Sequence, residues 1–195
     1  MNSRSKRGKV IVLTAPSGAG KTTVAHALLN QFEKLTFSTS ATTRPPRSNE
    51  QDGVDYHFIS EEEFRRKIDA GDFIEWETVY SGQMYGTLRS EVDKKMESGY
   101  FVLLDIDVKG ALNVKQTYGN NCLTVFVKPP SMEALRERLQ LRGSESEKTL
   151  KVRLERAKME LEQAHKFDNV IVNHRLEDAV NQAKELVSAF IESTP

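Results

Sequence analysis

Two hydrophobic periods alternate along the chain. Unbroken apolar runs occur at Val10, Ile11, Val12 and Leu13, in "YFVLLDID" (100–107), in "CLTVFV" (122–127) and in "NVIVN" (169–173). A short run with no polar alternation predicts a strand buried on both faces. Between these runs, apolar residues return every three or four positions. Leu150, Leu154, Ala157, Leu161 and Ala164 make one such stripe, and Leu176, Ala179, Val180, Ala183, Val187 and Phe190 another. That spacing predicts helices with one buried face. Further helices are expected through Val24, Ala25, Leu28 and Leu29, to about Tyr118, and from Ser131. Strand and helix in alternation predict an α/β fold with a parallel sheet covered by helices on both faces.

The texture changes between about Ser38 and Leu88. "ATTRPPRSNEQDG" holds two prolines and the turn-forming pair Asp52-Gly53, so it reads as a loop. Strand-like pieces "YHFI" and "FIEWETVY" follow, split by a helix "SEEEFRRKIDAG". Ser60 and Glu63 form its capping-box pair, and Gly71 can end it. This stretch reads as a small insert carried by the sheet. A second polar insert is "LRGSESEKT" (141–149), between two long helices.

Composition narrows the classes. The 195 residues suit one domain with small inserts. Lys and Arg total 28 against 28 Asp and Glu, which argues against a protein that coats nucleic acid. Cys122 lies in an apolar run, where a buried, reduced thiol is expected. The apolar run behind "MNSRSKRGK" is too short for a secretory leader, and no stretch is long enough to span a membrane. His26, His57, His165 and His174 share no metal-ligand spacing.

The chemistry starts at "TAPSGAGKTT" (14–23), a Gly-rich turn between the first strand and a helix. In a P-loop of this kind, backbone N–H groups from Ser17 to Thr22 surround phosphate oxygens at the positive end of the helix. Gly18 and Gly20 permit the close approach. Lys21 reaches the outer phosphates, and the Thr22 hydroxyl ligates Mg²⁺. Ala15 stands where a glycine is usual, so an ordinary negative φ is expected there. Such a loop binds a nucleotide polyphosphate without naming the acceptor.

Acceptor chemistry concentrates in the first insert. Arg44 and Arg47, pinned by Pro45 and Pro46, can present guanidinium forks to one phosphate dianion, and Tyr56 and Tyr85 can add hydroxyl donors. Glu75 lies in the apolar stretch "FIEW", where an unpaired carboxylate is costly to bury. The N1–H and 2-amino group of guanine would satisfy it, whereas adenine N1 would face it lone pair to lone pair. A surface arginine pair, and a Glu75 bridged to a nearby cation, are the plain alternatives.

"FSTSATTRPPR", "DGVDYHFIS", "FIEW", "YGT", "LDID" and "RGSESE", in this order behind the P-loop, resemble the guanylate kinase family. That resemblance implies a P-loop three-layer sandwich with a parallel core sheet (8–38, 89–140 and 153–195), a small mixed α/β GMP-binding insert (39–88) and a helical lid (141–152). It implies transfer of the γ-phosphoryl group of ATP to GMP with Mg²⁺. Ala15, Pro16, Ser17, Gly18, Ala19, Gly20, Lys21, Thr22 and Thr23 would hold ATP, with Asn173 by the adenine. Arg44, Arg47, Tyr56 and Tyr85 would hold the GMP phosphate, while Ser40, Glu75 and Thr87 read guanine. Asp105 and Asp107 would serve the guanine amino group and the hydrated Mg²⁺, with their roles undivided; the metal positions are Thr22 and Asp105. Lys21, Arg44, Arg138, Arg142 and Arg153 would act in catalysis.

"NHR" at 173–175 departs from the family, where an acidic residue commonly follows the Asn, and this leaves the adenine contacts open. The resemblance further implies a cytoplasmic monomer or homodimer, with no nucleic acid or membrane partner. Its rivals are a P-loop kinase with another acceptor and a guanylate-kinase-like module that binds phosphopeptides, which tends to lack a working P-loop.

Overall fold

The computed structural model describes residues 7–79, 82–141 and 147–193. Along the first part of the chain run β1 (Val10–Thr14), α1 (Lys21–Gln31), β2 (Leu35–Phe37), β3 (Ala41–Thr42), β4 (His57–Phe58), α2 (Glu61–Asp69), β5 (Phe73–Thr78) and β6 (Met84–Leu88). Then come α3 (Arg89–Glu97), β7 (Phe101–Asp105), α4 (Val108–Tyr118), β8 (Cys122–Lys128), α5 (Met132–Leu141), α6 (Glu147–Glu162), β9 (Asn169–Val172) and α7 (Leu176–Glu192).

Five strands form a parallel sheet in the order β2-β7-β1-β8-β9, with Val10 in register with Val102 on one side and Cys122 on the other. All five residues of the central strand β1 are buried. Successive side chains of a strand point to opposite faces, and the core divides accordingly. Ile11 and Leu13 pack with Val24 and Leu28 of α1 and with Ala179, Ala183 and Val187 of α7. Val10 and Val12 pack with Val92 and Met96 of α3 and with Ala111 and Val114 of α4. The sheet is therefore the middle of three layers, which the unbroken apolar runs require.

A second, mixed sheet in the order β4-β3-β6-β5 lies wholly between Ala41 and Leu88. Helix α2 covers it, with Phe64 stacked on Phe73 at a centroid distance of 4.4 Å. Ser60 caps α2 by accepting from the Glu63 N–H at 3.1 Å, and Gly71, at φ 72°, ends it. The β5 register against β6 shifts between Phe73 and Glu75, a bulge that re-aims the strand. Ile74 then packs into the core beside α4, and Glu75 follows it into the cleft between the two sheets.

Three details depart from the hydrophobic pattern. The strand expected over 100–107 stops at Asp105, because Asp107 turns the chain and caps α4 by accepting from the Gly110 N–H at 2.7 Å. Ala164 lies in a short 3-10 turn beyond α6. Leu176, first in its stripe, is 44% exposed at the start of α7, where the helix has not yet met the sheet.

The start of β1 is tied to the end of α7 by a buried cation. Lys9 Nζ donates to the carbonyls of Phe190 and Ser193 at 2.7 Å each and to Ser193 Oγ at 2.8 Å, over the Phe190 ring. The ammonium satisfies carbonyls that a helix end leaves open and opposes their negative dipole. Replacing it by an apolar chain, Lys9→Met, is expected to destabilise the protein by about 2 kcal/mol, read as a lower urea midpoint at unchanged slope.

Candidate functional site

The C-terminal ends of β1 and β7 open into a cavity of about 590 Å³ that also reaches the second sheet. Crevices beyond the carboxyl ends of parallel strands are where such sheets bind ligands. On the β1 side, the loop from Ala15 to Gly20 runs into α1, whose N-cap is Gly20 at φ 99° and whose first turn has no side-chain cap. Its opening N–H groups are thus left for a ligand. Gly18, at φ 91°, also needs the glycine backbone. Lys21 lies within this cavity, ion-paired with Asp105 and donating to the Ile106 carbonyl at 3.3 Å. Arg153 of α6 approaches Ser17, its Nη1 lying 3.4 Å from Ser17 Oγ.

Opposite the loop, the insert brings Arg44, Tyr56 and Tyr85 together. Arg44 Nε donates to Tyr85 Oη at 3.1 Å, and its guanidinium lies 5.0 Å from the Tyr56 ring centroid. The fork itself is held by Glu50, which accepts from Nη1 and Nη2 at 2.6 Å each. Glu50 also accepts from the Arg47 N–H at 2.8 Å. The Arg44 hydrogen bonds, then that N–H, lower the Glu50 carboxyl pKa to about 2. Arg47 itself lies on the exposed part of the turn. Glu50 was not singled out in the sequence. Its signal is a carboxylate three residues after Arg47 in a Pro-braced turn, which reads equally well as a solvated loop residue.

Glu75 is 7% exposed. Thr87, paired with it across β5 and β6, donates to Glu75 Oε1 at 2.5 Å. Burial pushes the Glu75 carboxyl pKa up to about 7, against the opposing pull of the Thr87 hydroxyl. A Cβ on Gly110 of α4 would stand 2.9 Å from Glu75 Oε2, so this glycine leaves the room the carboxylate occupies. Ser40, Asp105 and Asp107 line the same cavity. Arg156, one helical turn beyond Arg153, also reaches it, 3.9 Å from both Glu77 and Asp107 and 2.9 Å from Glu160. Its signal was the polar succession Arg153, Arg156 and Glu160 along α6, opposite the apolar stripe.

Two expected site residues sit behind the loop. Asn173 is buried, its Nδ2 donating to the Ala19 carbonyl at 2.8 Å, and Arg138 Nη2 donates to the Asn173 carbonyl at 2.9 Å. Arg142 lies outside the described residues. Among the described residues no cluster of three or more His, Cys, Asp or Glu could hold a metal, and no helix is long and apolar enough to cross a membrane.

This arrangement puts the uncapped start of α1 and the hydroxyl-bearing Tyr56 and Tyr85 on one cavity, with Arg44 behind Tyr85. The family model for guanylate kinase matches residues 7–190. The chain belongs to the guanylate kinase family. It is 53% identical to a guanylate kinase of Salinibacter ruber, with 94% of this chain and 97% of that relative covered, and 50% identical to one of Chlorobium luteolum, with 95% and 94% covered. The crystal structure of guanylate kinase from Anaplasma phagocytophilum superposes with a TM-score of 0.74 at 33% identity, over 97% of this chain and 89% of that one.

The raised Glu75 pKa makes the stability of this guanylate kinase family member depend on pH. A carboxyl whose folded pKa exceeds its unfolded value, about 4.3, costs nothing below that value. Its cost grows between there and about 7 and is complete above it. Glu75→Gln removes the charge. Its stability relative to the parent is expected to rise between pH 4.5 and pH 8, by up to about 3 kcal/mol, measured by urea unfolding at both values.

Proposed function

We propose that the loop from Ala15 to Thr23 holds ATP and the insert holds GMP, so that the γ-phosphoryl group passes to the GMP phosphate and gives ADP and GDP. The observation that carries this reading is a single cavity lined on one wall by Ser17, Lys21 and Thr22 and on the other by Tyr56, Tyr85 and the buried Glu75.

The acceptor oxygen is already ionised at neutral pH, so no general base is needed. The work of the site is to bring two polyanions into line and to stabilise spread charge on the transferring group. Lys21 and the uncapped N–H groups of α1 face the donor phosphates. Arg44, fixed by Glu50 and Tyr85, and Arg47 anchor the acceptor phosphate. Arg153 stands beside Ser17, where it meets donor-side charge, and Arg138 and Arg142 belong to the same neutralising set. Ser40 and Thr87 join Glu75 at the base, and Thr87 also keeps the carboxylate in place.

The Thr22 hydroxyl and Asp105 fit Mg²⁺. Both are hard oxygen donors, and so small a protein set leaves most positions to phosphate and water, as Mg²⁺ prefers. When bound, the ion supplies charge neutralisation on the polyphosphate. Asp107, which caps α4 and lies near Gly110 beside Glu75, is the better placed of the two aspartates for the guanine amino group. The buried, free Cys122 suits a reducing compartment such as the cytoplasm.

Base choice tests this reading. Two adjacent donors of guanine satisfy the Glu75 carboxylate, and a base without them leaves it unpaired. A coupled assay is expected to show turnover with GMP and little with AMP, CMP or UMP. Glu75→Gln is expected to lower kcat/KM for GMP and to narrow the gap to AMP. An unchanged GMP-to-AMP ratio would pass the role of base reader to Asp105 or Asp107.

The anchor has its own test. Arg44→Ala is expected to raise KM for GMP at least tenfold and leave KM for ATP nearly unchanged, since it removes charge-assisted bonds to the acceptor only. An equal rise in both constants would move Arg44 out of the acceptor site.

A further inference from the structure

Asn173 follows directly on β9 and joins three elements. Its backbone N–H donates to the Lys128 carbonyl at the end of β8, at 2.8 Å. Its backbone carbonyl accepts from Arg138 of α5 at 2.9 Å. Its side-chain Nδ2 donates to the Ala19 carbonyl in the phosphate loop at 2.8 Å. The residue is 3% exposed, and its Oδ1 has no hydrogen-bond partner among the described residues. Turning the amide over would set that oxygen against the Ala19 oxygen, so the donating orientation is the one the site accepts.

The Ala19 carbonyl and the Gly20 N–H belong to one peptide group, and among the described residues no peptide bond is cis. In a trans peptide the carbonyl and the N–H point in opposite directions. Drawing the carbonyl inward to Asn173 therefore turns the Gly20 N–H outward, toward the cavity where the phosphate cradle opens. Glycine at position 20 is part of the same device. It holds φ 99°, and a Cβ there would stand 2.4 Å from Asn173 Nδ2.

We propose that Asn173 is a positioning residue that fixes the phosphate cradle through Ala19. The carbonyl of the same residue holds Arg138, so the orientation of the loop and the seat of that arginine share one support.

This inference rests on the reading of the loop as the ATP polyphosphate site, and the test separates the two. Binding of ATP, of inorganic tripolyphosphate and of GMP is measured by titration calorimetry with Mg²⁺ on the parent, Asn173→Ala, Asn173→Asp and Lys21→Met, with melting temperatures alongside. Asn173→Ala is expected to weaken ATP and tripolyphosphate by the same factor, about tenfold, and to leave GMP unchanged. Asn173→Asp keeps the size, loses the donor and sets a carboxylate against the Ala19 carbonyl, so its loss is expected to be larger.

Weakened ATP with unchanged tripolyphosphate would make Asn173 an adenine contact and overturn the proposal. Equal weakening of all three ligands would reduce it to a general stability role and overturn it too. If Lys21→Met also leaves tripolyphosphate binding intact, the reading of the loop has failed and the brace falls with it. If Lys21→Met abolishes binding while both Asn173 variants bind normally, only the brace has failed.

Discussion

The opening turn of α1 carries N–H groups that no residue of the helix can accept and no side chain caps. Most helices satisfy these groups with a Ser, Thr, Asp or Asn at the N-cap; here the position is Gly20 in the left-handed region. The helix is thereby left incomplete at the end that faces the cavity. Much of the core serves to hold that end in place. Strand β1 enters from the center of the sheet with every residue buried, and α1 is clamped beneath by Val24, Ala25 and Leu28 against α7. A loop so held needs little reorganisation when an anion arrives, which is the condition for electrostatic stabilisation to act at full strength.

Three cations in or beside the cavity are paired with carboxylates of the chain itself. Lys21 meets Asp105, Arg44 meets Glu50, and Arg156 lies between Glu77, Asp107 and Glu160. These pairs are not equivalent. Lys21, Asp105 and Arg156 keep part of their side chains in solvent, which screens their pairing. Arg44 and Glu50 are nearly dry and joined by two bonds, and the same carboxylate closes the turn onto the Arg47 N–H. Glu50 thus fixes the Arg44 guanidinium and the turn at Arg47 together. Arg156 has a different reach: it comes from α6 and lies 3.9 Å from both Glu77 of β5 and Asp107 at the start of α4.

Legibility in the sequence followed how local each feature is. β1, β7, β8 and β9 could be read because burial on both faces leaves an unbroken apolar run, and α7 because one buried face repeats from Ala179 onward. β2 and β3 are two or three residues long, too short for any period, and exist because neighbouring strands offer partners. β6 was missed because its core-facing positions include Gly86, which leaves space for Phe73, and no apolar pattern records a missing side chain. The phosphate loop was visible because all its parts are contiguous. Glu75 was visible because a carboxylate in an apolar strand is an anomaly in any fold. Gly110, Glu50 and Arg156 were not, since each takes its role from a residue distant in the chain or from a turn whose closure the sequence does not show.

Selectivity for a base and a raised carboxyl pKa are the same fact seen from two sides. An exposed carboxylate would exchange one partner for water and discriminate weakly, because the wrong base leaves it solvated. Discrimination of several orders of magnitude needs an acceptor that has no alternative partner when the wrong base arrives. Glu75 meets that condition through burial, and burial is the leading cause of its pKa near 7. The surroundings keep this from becoming disruptive. The Thr87 hydroxyl holds one oxygen, Gly110 makes room beside the other, and the bulge at Ile74 lets the strand bury an apolar and an acidic residue in succession. Another donor supplied by the protein would return the pKa toward normal and would also satisfy the carboxylate without its ligand. The incomplete solvation of Glu75 is therefore the property on which its proposed role as base reader rests.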